Sequence, residues 1–212
     1  MKFFSLVLGL LLACSIAPAQ DKKPDAKAAP EGGGYSVGSV VADFTLNDAE
    51  GKKTSLKSIA EGKKYVVIDF WSRECPAAKA CEPAFAKLNK DFSSKGVALV
   101  HMASNKAENK AEADVTATKE YAKKNNITWP VLLDVDNKVA LTFGATNTPH
   151  VYVIDTKDMK VVYMGAFNDS VWKAENVKKE YVREALDLLL AGKPVTTNYV
   201  KPEGCVIKKV VS

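Results

Sequence analysis

The stretch that decides the fold is Val66–Pro76, VVIDFWSRECP. Apolar, largely β-branched residues run into Phe70-Trp71, a short loop follows, and Cys75 stands directly before Pro76 at the head of a helical pattern. The thiol therefore sits at a strand-to-helix turn. The partial positive charge of the helix N-terminus faces the sulfur and favours the thiolate, which is the nucleophilic form. A C-x-x-C dithiol would carry its second cysteine at position 78, where this chain has Ala78.

Working outward, Tyr65–Trp71 is nearly continuously apolar, the mark of a strand buried on both faces. After it, Ala77, Ala80, Cys81, Ala84, Phe85 and Leu88 give the i, i+3, i+4 spacing of a helix over 76–94, with a kink expected at Pro83. Further strands are expected at 97–103, 129–133, 151–155 and 160–164, the last two as a hairpin. Helices are expected at 111–124, 137–143 and 177–190, stopped by Asn125-Asn126, Gly144 and Gly192 respectively. Upstream, 41–46 alternates like a strand, 48–51 is a turn and 55–60 a short helix. This order mixes βαβ units with a terminal hairpin and helix. It implies an α/β fold with a central mixed β-sheet and helices on both faces.

The 212 residues, 47% hydrophobic, suffice for one domain with its own core. The net charge of +5 comes from 30 basic and 25 acidic residues that are interleaved, without a basic run among aromatics. Nucleic acid is therefore not an expected partner, and the lysines read as solvated faces. Lys2, the apolar run that follows it, and Ala17-Pro18-Ala19 describe a secretory signal peptide over 1–19. A rival reading takes Leu11-Leu12-Ala13-Cys14 as a lipobox, with a lipoprotein signal over 1–13 and Cys14 as the lipidated N-terminus. Either way the mature protein is expected to be exported, to the periplasm or cell envelope, and to meet the membrane only through such an anchor. Residues 20–36 read as a flexible linker, 37–192 as the folded domain and 193–212 as a tail carrying Cys205. Without Cys14 the cysteines number three, Cys75, Cys81 and Cys205, an odd count that suggests one pair and a spare thiol, or an intermolecular bond.

Asp69 inside the apolar strand, Phe70-Trp71, Cys75-Pro76 and Thr148-Pro149 before a strand together resemble the thioredoxin fold, in its redoxin branch (AhpC/TSA and TlpA-like). A narrower resemblance is to exported, peroxiredoxin-like thioredoxin-fold proteins with C-P-x-x-K-A, T-P-H and G-C-x-I-K segments. Here these are Cys75–Ala80, Thr148–His150 and Gly204–Lys208. The chain departs from that pattern at Cys81.

The resemblance implies that Cys75 attacks, that Asp69 is the buried acid able to move a proton for a leaving thiolate, and that Pro149 is cis and shapes a groove for an extended peptide. Trp71, Ser72, Pro76, Thr148 and Pro149 would line that groove. With Ala78 at the usual partner position, the tail is expected to deliver Cys205 as the resolving thiol, so Cys75–Cys205 is the favoured pair. Cys81–Cys205 stays open. Cys81 is a poor partner for Cys75 on geometry, since six residues of helix separate Cα atoms by roughly 9 Å along the axis. His101 reads as structural. Neither it nor His150 has a metal-ligand spacing with a cysteine, so no metal or other cofactor is expected.

Three functions follow. The first is an exported thiol-disulfide oxidoreductase acting on protein thiols or disulfides, supplied by a membrane-bound thiol reductant. The second is a thiol peroxidase, an antioxidant role, because Ser72 lies three residues before Cys75 as a P-x-x-x-T/S-x-x-C site requires, although Ile68 replaces the proline. The third is a binding module that uses the groove without turnover.

Overall fold

The structure is a computed structural model that describes Met1 and residues 33–105 and 112–208. The expected signal segment, Cys14 and most of the linker lie outside the described residues.

Strand β3 (Tyr65–Trp71) is the centre of the molecule, and six of its seven residues are buried. It pairs in parallel with β4 (Val97–Ala103) and antiparallel with β7 (His150–Asp155). Beyond β4 lies β5 (Val131–Leu133), in parallel. Beyond β7 lie β8 (Lys160–Gly165), antiparallel, and the two-residue β9 (Tyr199–Val200), parallel to β8. The sheet is thus mixed, in the order β5-β4-β3-β7-β8-β9.

Both faces are covered, and the period-two alternation of β3 shows how. Val66, Ile68 and Phe70 join the core that holds Leu56 of α1 (Leu56–Ala60) and Val139, Ala140 and Phe143 of α4 (Lys138–Phe143). Val67 and Trp71 join the opposite core with Cys81, Phe85 and Leu88 of α2 (Pro76–Phe92), Val182 and Leu186 of α5 (Tyr181–Leu190), and Tyr121 of α3 (Glu112–Lys124). By the same alternation Asp69 belongs to the α2 face.

Cys75 is the N-cap of α2 and Pro76 its first residue, where a missing N–H costs nothing. The helix continues through Pro83. Pro83 and Lys79, whose carbonyl loses its donor, lie on the exposed side, where solvent can replace the bond.

At the start of the domain Tyr35 already packs its ring on Phe143, with centroids 4.9 Å apart. The strand expected over 41–46 is only β1 (Thr45–Asn47), paired with an unforeseen β2 (Lys53–Ser55). The preceding residues have other work: Val41 N–H donates to Met159 C=O, and the Asp43 carboxylate accepts from Lys57 N–H. The final helix starts at Tyr181 rather than 177, because Asp169 pins the backbone at Lys178 and Lys179 with bonds of 2.9 and 3.1 Å.

The tail, without periodicity in the sequence, forms β9 and β10 (Cys205–Val206). The latter pairs antiparallel with β6 (Asn147–Thr148). At Gly165 a Cβ would lie 1.8 Å from Val200 O, at φ +122. Gly165→Ala should therefore undock β9 and cost about 1–3 kcal/mol. The expected readout is a lower urea midpoint together with faster amide exchange at residues 199–200.

Candidate active site

Three chain segments meet at Cys75. The β3–α2 turn presents it, held by Cys75 N–H donating to Ser72 C=O (3.1 Å) and Glu74 N–H donating to Ser72 Oγ (3.2 Å). The β6–β7 junction faces it: the Thr148-Pro149 peptide bond is cis, and Thr148 O lies 3.0 Å from Cys75 Sγ. The tail brings Cys205, which is joined to Cys75 by a disulfide with Cα atoms 5.9 Å apart. Of the pairings left open by the sequence, Cys81–Cys205 is not formed; Cys81 is a buried free thiol. Cys75 is buried while Cys205 is partly exposed. Ala78 contributes its backbone, donating N–H to Cys75 Sγ at 3.4 Å. This is the helix N-terminal contact that stabilises a thiolate.

Ser72 is fully buried and accepts from Asn105 Nδ2 at 3.3 Å, while Asn105 Oδ1 accepts from Lys208 N–H at 3.1 Å. Asn105 thereby ties the cysteine turn to the tail. Trp71 is buried beneath the site, and Pro76 is exposed on the first turn of α2. Arg73 is engaged by Glu74, by Thr118 Oγ1 (3.2 Å) and by Asp114 (3.8 Å).

Behind the turn lies a buried polar group. Asp69 and His101 are cross-strand partners in the β3–β4 register, with Oδ2 3.0 Å from Nδ1 and both side chains fully buried. The His101 ring stacks on Trp71, with centroids 5.3 Å apart. Trp71 Nε1–H donates to Glu82 Oε1 at 3.3 Å, and Tyr121 O–H donates to the same oxygen at 2.9 Å. Burial pushes the Asp69 carboxyl well above the ordinary carboxylate range; the His150 amide opposes this and the nearby Glu82 adds to it. Burial also pushes His101 down to about 3, so burial disfavours the charged form of both partners. Burial pushes the Cys81 thiol up to about 12, so Cys81 is no nucleophile at neutral pH. His150, also pushed down to about 3 by burial, accepts from Thr146 N–H at Nδ1 (3.3 Å) and stacks on Tyr152.

The two shifts at Asp69 and His101 act oppositely on stability. For His101 the folded value lies below the ordinary 6.5, so its stabilising contribution is full above 6.5 and lost as pH falls toward about 3. For Asp69 the folded value lies above the ordinary 3.8, so its contribution is full below 3.8 and lost as pH rises. Asp69 thus offsets part of the acid loss. Asp69→Asn should lose stability more steeply than wild type between pH 6.5 and 4.5, by up to ~1.4 kcal/mol per pH unit. Urea midpoints at the two pH values read this directly; parallel slopes would sink the assignment.

The sequence missed Glu82 and Asn105, and it treated His101 as merely structural. Two polar residues facing each other in adjacent apolar strands was the available signal for His101. Glu82 and Asn105 gave none, because their partners are distant in sequence. Among the described residues no cluster of three or more His, Cys, Asp or Glu side chains is arranged to hold a metal ion.

Known proteins share this architecture. The chain is 31% identical over 137 residues to the thiol-disulfide oxidoreductase ResA of Bacillus subtilis, covering 64% of this chain and 72% of that one. The crystal structure of an uncharacterized conserved protein from Geobacillus kaustophilus superposes with a TM-score of 0.75 at 32% identity, over 83% of this chain and 93% of that one. The thioredoxin domain of a thiol-disulfide oxidoreductase from Bacteroides vulgatus shares the fold at 23% identity, with a TM-score of 0.53 over 65% of this chain and 94% of that one. The family model for AhpC/TSA matches residues 37–164. Because that match spans more than half the chain and takes in the cysteine turn and the cis-proline alike, the chain belongs to the AhpC/TSA family and carries its function on a thioredoxin-like fold.

Proposed function

We infer that the protein is an exported thiol-disulfide oxidoreductase in which Cys75 attacks and Cys205 resolves. The observation that carries this reading is the Cys75–Cys205 disulfide, placed at a helix N-cap and beside the cis-proline. The likeness to a relative named as a thiol-disulfide oxidoreductase supports the reaction class.

In the reduced protein the Cys75 thiolate attacks a substrate disulfide. One substrate thiolate departs, takes a proton, and leaves a mixed disulfide on Cys75. The Cys205 thiolate then attacks Cys75 Sγ, expels the second substrate thiolate and closes the internal disulfide. An external dithiol returns two electrons and leaves as a disulfide. That dithiol attacks Cys205, the more exposed sulfur, and Cys75 departs as the thiolate favoured at the helix N-terminus. Asp69, whose protonated form burial favours, lies in the core behind this exchange. The expected signal segment supports export, and an oxidising compartment is where such a disulfide persists. A membrane-bound thiol reductant would serve as the donor there.

Ser72 favours a second reading, a thiol peroxidase. Its hydroxyl is built into the turn that presents Cys75. Here peroxide would convert the Cys75 thiolate to sulfenic acid and release hydroxide, and the Cys205 thiol would then form the disulfide with loss of water.

Insulin reduction with dithiothreitol as donor, run beside peroxide consumption, separates the two. The oxidoreductase reading expects insulin turnover and no peroxide consumption above the donor's own. Peroxide consumption without insulin turnover would replace it with the peroxidase.

A further inference from the structure

The tail does more than deliver a sulfur. Cys205 lies opposite Thr148 and Val206 opposite Asn147 along β6, which among the described strands has no other partner. Asn147 Nδ2 donates to Gly204 C=O at 3.1 Å, and Ile207 N–H donates to Thr146 C=O at 2.9 Å. The side chains then alternate as on a strand: Val206 is 72% exposed, while Ile207 is 3% exposed within the core that holds Phe70, Phe143 and Ala145. Just before the cysteine, a Cβ on Gly204 would lie 2.2 Å from Thr148 O at φ +138, so only glycine fits this approach.

This is the pattern by which a sheet edge recognises an added strand. Main-chain bonds accept any sequence, and a pocket for one alternate side chain selects among them. We propose that the tail is a tethered occupant of the substrate groove, and that the reduced protein accepts in its place an extended polypeptide with glycine before its cysteine and an aliphatic residue two positions after it. The substrate cysteine sits opposite Thr148 and the aliphatic side chain takes the Ile207 hole. This rests on the oxidoreductase reading for its redox steps. An external dithiol breaks the Cys75–Cys205 bond, giving two thiols and its own disulfide, and only then can a polypeptide displace the tail from the β6 edge. After the mixed disulfide forms on Cys75, the tail returns to the same edge. Cys205 attacks Cys75, and the departing polypeptide loses its strand and its covalent bond together.

The test uses two fluorescent peptides that cannot form a disulfide, EGSVIK and EGSVDK, with the full chain. In reduced Ile207→Asp protein, whose own tail no longer fills the hole, EGSVIK should bind at least about tenfold more tightly than EGSVDK by anisotropy, as loss of one buried aliphatic contact requires. Oxidised wild type should bind neither. Gly204→Val, which undocks the tail by collision with Thr148, should behave as Ile207→Asp does and covers the case in which that variant fails to fold. Equal affinity for the two peptides, or equal binding by oxidised wild type, overturns the proposal. Reduction of the disulfide-linked dimer of EGCVIK by wild type, measured in parallel, keeps the two readings apart. Peptide discrimination without turnover supports the groove and removes the oxidoreductase; turnover without discrimination overturns the groove alone.

Discussion

Cys75→Ser should take insulin reduction down to the uncatalysed background, a loss of roughly three orders of magnitude or more, as removal of a sole nucleophile produces. No other thiol among the described residues can replace it. Cys81 is buried with its thiol pushed up to about 12, and Cys205 lacks a helix N-terminus at its sulfur. Cys205→Ser should fail differently. Its Cys75 still attacks, but nothing within the chain displaces the substrate, so a one-to-one mixed disulfide accumulates and appears in the intact mass. Reductant should release it. Turnover by Cys75→Ser, or a Cys205→Ser protein that never holds a substrate, would remove the assigned roles.

The second large effect is on stability. The Cys75–Cys205 bond closes a loop with a sequence separation of 130. Cross-linking so long a segment removes much of the unfolded chain's freedom, and the usual stabilisation is about 2–4 kcal/mol. The reduced folded state keeps the non-covalent docking of the tail, through Ile207 in the core and the β6 pairing, so most of the difference lies in the unfolded state. Urea denaturation of oxidised and reduced protein should therefore give midpoints separated by this energy. Cys205→Ser should follow the reduced curve under both conditions. Coincident curves for oxidised and reduced wild type would show that the bond does not form in solution.

Much of the domain was legible in the chain because the signals were local. The apolar run before Cys75, the spacing of Ala77, Cys81, Phe85 and Leu88, and Pro76 at the first helical position depend on neighbours within a few turns. They marked the central strand, the main helix and the thiol at its cap. The edges of the fold were less legible. β2 is three polar residues that pair where Asp48 bends the turn, accepting from Glu50 N–H and Lys52 N–H at 2.9 Å each. The tail lacks periodicity because its strands pair with β6 and β8, which lie far back in the sequence.

By itself the sequence determined that Cys75 caps a helix, that it lacks a partner at position 78, and that a proline stands at 149. It left Cys75 and Cys81 as rivals for Cys205 and gave no hint that Glu82 and Asn105 join the site. Only the tertiary structure decided these points. Helix periodicity turns Cys81 into the core, toward Val171, while Gly204 lets the tail backbone close on Thr148 and set Cys205 against Cys75. Which thiol meets Cys205 is a matter of chain-distant packing and backbone clearance, and no local pattern encodes that.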